Sequence, residues 1–329
     1  MRRRHRRSLA PFCGKATISH HGQRTIVGER GRRQPPALDV VCDFRNAHAD
    51  PRGRGGRRDG VALRSLTRPA PTGHHGDMCG RFAVTTDPAA LAEKIQAINE
   101  ARSAESAGPN YNVAPTTTIT TVVRRHDEPD DEPTRRVRLM RWGLVPPWAK
   151  AGSDGAPESK GPQLINARAE KVTTSPAFRA SAKSKRCLVP MDGYYEWRAN
   201  PDTEAGKKAR KTPFFLHRAD GEMLFMAGLW SVWKPAKDAT PLLSATIITT
   251  DAVGELAEIH DRMPLIVPER EWDRWLDPDA PADLEFLAAP PDVRGIELRE
   301  ISTLVNNVRN NGPELLEPAK PEPEQATLL

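Results

Sequence analysis

The stretch MLFMAGLWSVWKPAKDATPLLSATIITT, residues 223–250, decides what kind of fold this chain adopts. It holds two apolar runs, MLFMAGLW (223–230) and LLSATIITT (242–250), separated by a polar, proline-containing segment. Aromatic and β-branched residues concentrate in the runs, so they read as two strands joined by a loop. The same signal recurs upstream in TITTVV (118–123), VRLMRWG (137–143), RCLVPM (186–191) and PFFLHR (213–218). Between these runs lie charged segments such as RRHDEPDDEPTRR, AKAGSDGAPESKGPQ and ANPDTEAGKKARKT, which fit solvated hairpin ends. Helical signals are few. DPAALAEKIQAINEA, from Asp87, has an Asp cap, a first-turn Pro and apolar Leu91, Ile95 and Ile98. SPAFRASAKS (175–184) and PEREWDRWL (268–276) fit short helices. Strands do not alternate regularly with helices, which excludes a doubly wound sheet. The expected class is α+β, a mostly antiparallel β-sheet or barrel core with peripheral helices.

Composition divides the chain. Residues 1–77 carry 17 Lys+Arg against 6 Asp+Glu. From chain totals of 49 and 43, that leaves 32 basic and 37 acidic residues for 78–329. The basic character therefore belongs to the first segment, and the body is net acidic by five charges. All seven Trp and all three Tyr also follow Met78. A segment so charged and poor in aromatics cannot bury enough apolar surface to offset the entropy of ordering.

Three readings compete for residues 1–77: a basic nucleic-acid-binding tail, a targeting peptide, or a stretch preceding the true start at Met78. Pro35-Pro36, Pro51, Gly53 and Gly55-Gly56 break an amphipathic helix, and the apolar core of a secretory signal is absent. The third reading is adopted. The expected organisation is a 1–77 extension, a domain over 78–318 and a Pro-rich tail over 319–329. The body's two cysteines, Cys79 and Cys187, form no CxxC pattern, and no apolar run approaches a membrane span. A soluble, cytoplasmic protein is expected, without metal, cofactor or membrane.

Six short motifs stand out from this background: MCGRF (78–82), YNVAP (111–115), RWGLVPPW (141–148), INAR (165–168), GYYEW (193–197) and IHDRMP (259–264). In this order they resemble the SRAP family, the SOS-response-associated peptidases or abasic-site processing proteins. The resemblance spans 78–318 and includes NNVRNNG near the end.

The resemblance gives Cys79 a meaning its composition does not. Initiator methionine is removed before a small residue, which would leave Cys79 with a free α-amine beside its thiol. Such an aminothiol condenses with an aldehyde to an imine, and the thiolate closes a thiazolidine ring. Its amine titrates near ~8, against ~10.4 for lysine, so much of it is nucleophilic at neutral pH. The opened sugar of an abasic site supplies the aldehyde. The family implies this adduct in single-stranded DNA, formed by a monomer associated with the nucleoid.

By the same resemblance, Glu196 is the acid/base that opens the sugar, and partial desolvation beside Tyr195 and Trp197 is expected to raise its pKa. His260 transfers a proton to the sugar oxygen and takes part in reversal. Asn166 orients the cysteine amine and the sugar. Arg81 and Arg168 fit phosphate contacts, Asn112 lies near the same site, and Pro115 and Trp148 form an apolar wedge on the bases. Without the resemblance, each has an ordinary structural reading: a core cysteine, a strand-end carboxylate, a turn Asn, a packed Trp.

Because phosphate contacts dominate DNA affinity, an acidic body requires a local basic stripe. Arg81, Arg141, Arg168, Lys171, Arg179, Lys183, Lys185 and Arg186 are its expected members. Two other functions compete with covalent capture. One is a thiol peptidase using Cys79 and His260, and the other a non-covalent single-strand-binding module.

Overall fold

The computed structural model describes residues 80–101, 108–158, 161–200 and 210–320. The extension 1–77, Cys79 and most of the Pro-rich tail lie outside the described residues.

Among the described residues, thirteen strands form two sheets. The first sheet takes β1 (Arg81–Val84), β3 (Asn110–Val113), β8 (Gly193–Ala199), β9 (Lys211–Arg218) and β13 (Ile296–Glu300), in the order β13-β9-β8-β1-β3. All its pairings are antiparallel. The second takes β2 (Ile98–Asn99), β4 (Thr118–Arg125), β5 (Thr134–Trp142), β7 (Arg186–Met191), β10 (Leu224–Trp233), β11 (Leu242–Asp251) and β12 (Arg262–Pro264), in the order β12-β11-β10-β7-β4-β5-β2. β6 (Asn166–Arg168) joins β11 in parallel. β5 also pairs with β11, through Ser244↔Arg141 and Ala245↔Trp142, and this closes β11-β10-β7-β4-β5 into a five-stranded ring. The expected antiparallel barrel core is present, sealed by a parallel seam.

Burial follows strand alternation. One side of the second sheet packs Val123, Met140, Cys187 and Ala245 inside the ring. Nearby, Ile119, Trp142, Val189, Met226 and Ile247 meet Phe82, Val113, Tyr194 and Leu216 of the first sheet. The outer side of the ring is covered by α1 (Pro88–Lys94), α2 (Arg179–Ser184), α4 (Trp272–Leu276) and α5 (Leu284–Ala288). α3 (Leu256–Ile259) packs instead on β8. The far face of the first sheet, with Ala83, Tyr195 and Phe215, is sealed by Ile301, Val305 and Leu315 of the C-terminal segment. Among the described residues no helix is long and apolar enough to cross a membrane.

α1 starts where the sequence predicts, with Asp87 accepting from the N–H groups of Ala89 and Ala90. It ends at Lys94, about a turn before the apolar pattern does. Gln96 turns left-handed at φ 53°, and residues 98–99 pair with the edge of β5. The reason is electrostatic: Glu100 pairs with the buried Arg136 and with Arg138, and its N–H donates to Val137 O. A helix continued through Glu100 would take from that buried guanidinium one of its two carboxylate partners, leaving Asp127 alone. The other two predicted helices are also trimmed, to Arg179–Ser184 and, after a 3-10 turn over Glu269–Glu271, to Trp272–Leu276.

Gly193 begins β8 where a side chain has no room. A Cβ there would lie 2.5 Å from the Phe215 ring and 2.6 Å from Leu216 O. That close approach lets β8 lie against β9, and strand alternation sets Tyr194 and Tyr195 on opposite faces.

Candidate functional site

β1 lies antiparallel to β8 with Arg81 opposite Tyr195 and Phe82 opposite Tyr194. Carried one residue further, this register sets Gly80 opposite Glu196. Glu196 shares the inner face of β8 with Tyr194 and is only 2% exposed. A carboxyl at the mouth of a sheet is normally solvated, so its withdrawal from water marks it out. Cys79 precedes Gly80 but lies outside the described residues.

An aromatic chain joins three motifs to this point. Phe82 meets Trp142 edge-on, with ring centroids 5.1 Å apart. The Trp142 indole N–H donates to Ile165 O at 3.0 Å, immediately before Asn166. Asn166 is half-buried on β6, opposite Ile247 of β11. Strand alternation points Arg168, which is exposed, to the same side as Asn166.

His260 follows α3, its N–H closing the last turn onto Leu256 O. Its Nδ1 accepts the backbone N–H of Arg262 at 3.0 Å, which in the neutral ring leaves the proton on Nε2. The same Nδ1 lies 2.9 Å from an Asp261 oxygen, a contact that is attractive when Nδ1 carries a proton. Arg262 is itself buried, with its guanidinium on Asp251, Glu170 and Thr249 O. Glu170 sits in the 3-10 turn just after β6. Arg262 therefore ties the loop of His260 to the strand of Asn166. Sequence reasoning quoted Arg262 inside IHDRMP without giving it this part; its position beside a catalytic candidate was the available signal.

The DNA-side candidates divide. Trp148 is 68% exposed, on a loop held by the Trp233 indole N–H donating to Ala149 O at 2.7 Å. Pro115 is half-buried in the β3–β4 turn, which is bonded to the end of β5 through Thr116 N–H to Trp142 O. Both residues thus sit on loops attached to the same end of β5.

Asn112 and Arg81 are engaged with protein. Asn112 is 4% exposed, and its Nδ2 lies 3.2 Å from Val305 O and 3.1 Å from both Asn307 O and Asn310 O. Arg81 Nη1 donates to Asn112 Oδ1 at 3.0 Å and Val305 O at 2.8 Å, with the guanidinium 5.9 Å over Trp197. Sequence reasoning missed this function of NNVRNNG as the acceptor of a buried amide.

The expected basic stripe needs one correction. Arg186 is buried, and its guanidinium donates to the carbonyls of Trp275, Ala182, Asp277 and Ala280, so it holds α2 and α4 and faces no solvent. Burial lowers its pKa from the usual arginine value, as it does for half-buried Arg141, which bonds Gly143 O. Arg168, Lys171, Arg179 and Lys183 are exposed. Cys187 is fully buried, and desolvation drives its thiol far above the ordinary range, which removes it as a nucleophile.

Residues 78–308 match the family model described as SOS response associated peptidase (SRAP). The chain is 36% identical over 243 residues to abasic site processing protein YoqW of Bacillus subtilis (strain 168), covering 73% of this chain and 99% of that protein. It is 32% identical over 232 residues to abasic site processing protein HMCES of Gallus gallus, covering 64% of this chain and 66% of that one. A solved structure from Bacteroides thetaiotaomicron shares the fold at a TM-score of 0.60 and 23% identity, over 74% of this chain and all of that one.

Proposed function

From the premise that the chain belongs to the SRAP family, we propose that it processes abasic sites in single-stranded DNA by covalent capture on Cys79. The reading requires Cys79 to be the first residue of the active chain, with Met78 removed. The free α-amine adds to the aldehyde of the opened sugar, and water leaves to give the imine. The thiolate then attacks the imine carbon, and the nitrogen takes up a proton. The product is a thiazolidine, with one water released overall. The crosslink shields the lesion from strand cleavage.

The β1–β8 register, which extended by one residue sets Gly80 across from the buried Glu196, is the observation that supports this reading. It brings the chain next to Cys79 up to an acid/base withdrawn from water, where a proton can pass to the sugar oxygen or from the attacking amine. His260, with Nδ1 engaged by Arg262, offers an Nε2–H to the sugar oxygen and takes the proton back in reversal. Asn166 and Arg168, on one face of β6, orient the amine and hold a phosphate. Trp148 and Pro115 stack beside the lesion, and Arg81 acts near the same strand end.

The test is a denaturing gel of protein beginning at Met78, incubated with an oligonucleotide carrying one abasic site. A heat-resistant shifted band, lost in Cys79→Ala and absent for the 329-residue chain kept unprocessed, is the expected result. Peptide cleavage that needs the thiol but not a free α-amine would instead support a thiol peptidase built on Cys79 and His260. Binding with no covalent band from any form would leave a non-covalent module.

A further inference from the structure

The C-terminal segment 303–312 is built differently on its two sides. Underneath, Val305 is fully buried, and its carbonyl takes bonds from Arg81 and Asn112. Asn112 also bonds Asn307 O and Asn310 O; Tyr111 N–H donates to Asn311 Oδ1 at 2.7 Å, and the Trp197 indole N–H to Asn306 Oδ1 at 2.7 Å. Asn310 Nδ2 closes the segment on itself at Leu304 O. On top, Leu304 and Val308 are 50% and 52% exposed. Arg309 beside them is exposed, and its guanidinium has no partner among the described residues.

Sealing the sheet accounts for Val305, Ile301 and Leu315, but not for the upper side. Polar residues at 304 and 308 would seal it equally well and would hydrate better. A segment anchored by a buried amide and carrying two apolar side chains next to an unpaired cation is preorganised for a ligand that is flat, apolar and anionic. A nucleobase and its phosphate meet that description. The segment covers the face of the first sheet opposite Glu196, so a strand reaching it would pass the start of β1. There Arg81, which bonds the segment, is two residues after Cys79, a reach of about 7 Å of extended chain.

We infer that residues 304–309 form a second contact for single-stranded DNA, separate from the Trp148 loop, with a base against Leu304 and Val308 and a phosphate on Arg309. The inference rests on the proposed reading that the chain acts on DNA, and it adds where the strand runs. Its effect lies in binding of the flanking strand and leaves the bond-forming groups untouched.

The experiment measures fluorescence anisotropy of a labelled single-stranded oligonucleotide without any lesion, on the full chain, across a salt series. Wild type is compared with Leu304→Ser/Val308→Ser and with Arg309→Gln, each first checked for an unchanged melting temperature. The double variant should bind at least about fivefold more weakly. For Arg309→Gln the slope of log K against log salt should shrink by about 0.7, the loss of one phosphate contact. Crosslinking of an abasic oligonucleotide at saturating protein beginning at Met78 should reach the wild-type end point in both variants. Unchanged affinity and salt slope, with wild type binding and crosslinking normally, overturn the inference alone. If wild type neither binds nor crosslinks, the DNA reading falls and this one with it.

Discussion

The backbone N–H of Arg262 donates to Nδ1 of His260, while the guanidinium of the same arginine reaches Glu170 beside β6. One residue thus meets the imidazole through its backbone and links two loops of the candidate site through its side chain.

Any residue at 262 keeps the backbone N–H that meets His260, so replacing the Arg262 side chain removes the guanidinium link alone. Its partners Asp251 and Glu170 are largely exposed and can rehydrate, so the loss is that of packing and a few charge-assisted bonds. Arg262→Met should cost about 1–3 kcal/mol in urea unfolding and slow crosslink formation. His260→Ala should slow formation and reversal with little loss of stability, because His260 is only partly buried. Equal rates in both variants and wild type would remove His260 and its support from the mechanism.

Asn112 should be among the least replaceable polar residues. Truncation to Ala takes the amide donor from Asn307 O and Asn310 O and takes Oδ1 from the Arg81 guanidinium, while Val305 O keeps its bond from Arg81. Asn112→Ala is expected to destabilise by about 1–3 kcal/mol. Asn112→Asp keeps the bond to Arg81 but sets a carboxylate against the Asn307 and Asn310 carbonyls, so a loss of similar size is expected. Denaturant midpoints measure both, and a loss below about 0.5 kcal/mol would show that the segment does not depend on this amide.

How much of this could be read in advance depends on what holds each element. β7 appears at its predicted bounds, Arg186–Met191, because it is buried along its whole length and its sequence is apolar from Cys187 to Met191. The four-residue β1 and three-residue β6 look like motifs in the sequence, with polar residues that no propensity assigns to a strand. Pairing with β8 and β11 makes them strands. The closure of the ring was invisible for the same reason, since the seam rests on Arg141 and Trp142 finding Ser244 and Ala245 about a hundred residues away. Trp148 could be placed on the surface from its PPW context, whereas the burial of Arg186 could not be foreseen. Arginine is counted as surface charge until a set of carbonyls is seen around it.

Asp192 gives stability a dependence on acid. Burial raises its pKa above the ordinary 3.8, outweighing the Thr85 N–H that it accepts at 2.8 Å. The folded state therefore holds the proton more tightly than the unfolded state. The resulting stabilisation is complete below pH 3.8 and is lost as pH rises through the folded value. Asn at this position keeps an acceptor for Thr85 without the charge. Asp192→Asn should raise the melting temperature at pH 7 and give no gain at pH 3; equal gains at both would show that the carboxyl is not the titrating cause.

His126 runs over a different pH window. Its Nδ1 faces Asp131 O and its Nε2 faces the Asp279 carboxylate, so both nitrogens are placed to donate. Its pKa is raised above 6.5, chiefly by the bond to Asp131 O. The stabilisation is present below pH 6.5 and fades as pH rises through the folded value. Wild-type melting temperature should drop between pH 6 and 8 more than that of His126→Ala; identical slopes would remove His126 as the cause.

A steric constraint set partly by backbone lies at Gly193, at the entrance to the strand that carries Glu196. An added methyl would meet Phe215 ring atoms at 2.5 and 2.7 Å and the Leu216 carbonyl at 2.6 Å. The ring could turn, but the carbonyl belongs to the β8–β9 ladder and cannot move without opening it. Gly193→Ala should therefore push β8 away from β9, at a cost of about 1–3 kcal/mol or more. Because β8 also carries the register to β1, crosslinking by the residual folded protein should fall as well. Gly228→Ala, with similar crowding from Cys187 Sγ and Thr246 O inside the ring, is the matched control. It should destabilise comparably but leave crosslinking per folded molecule near wild type. Equal loss of crosslinking in both would mean that the β1–β8 register has no special part in the site.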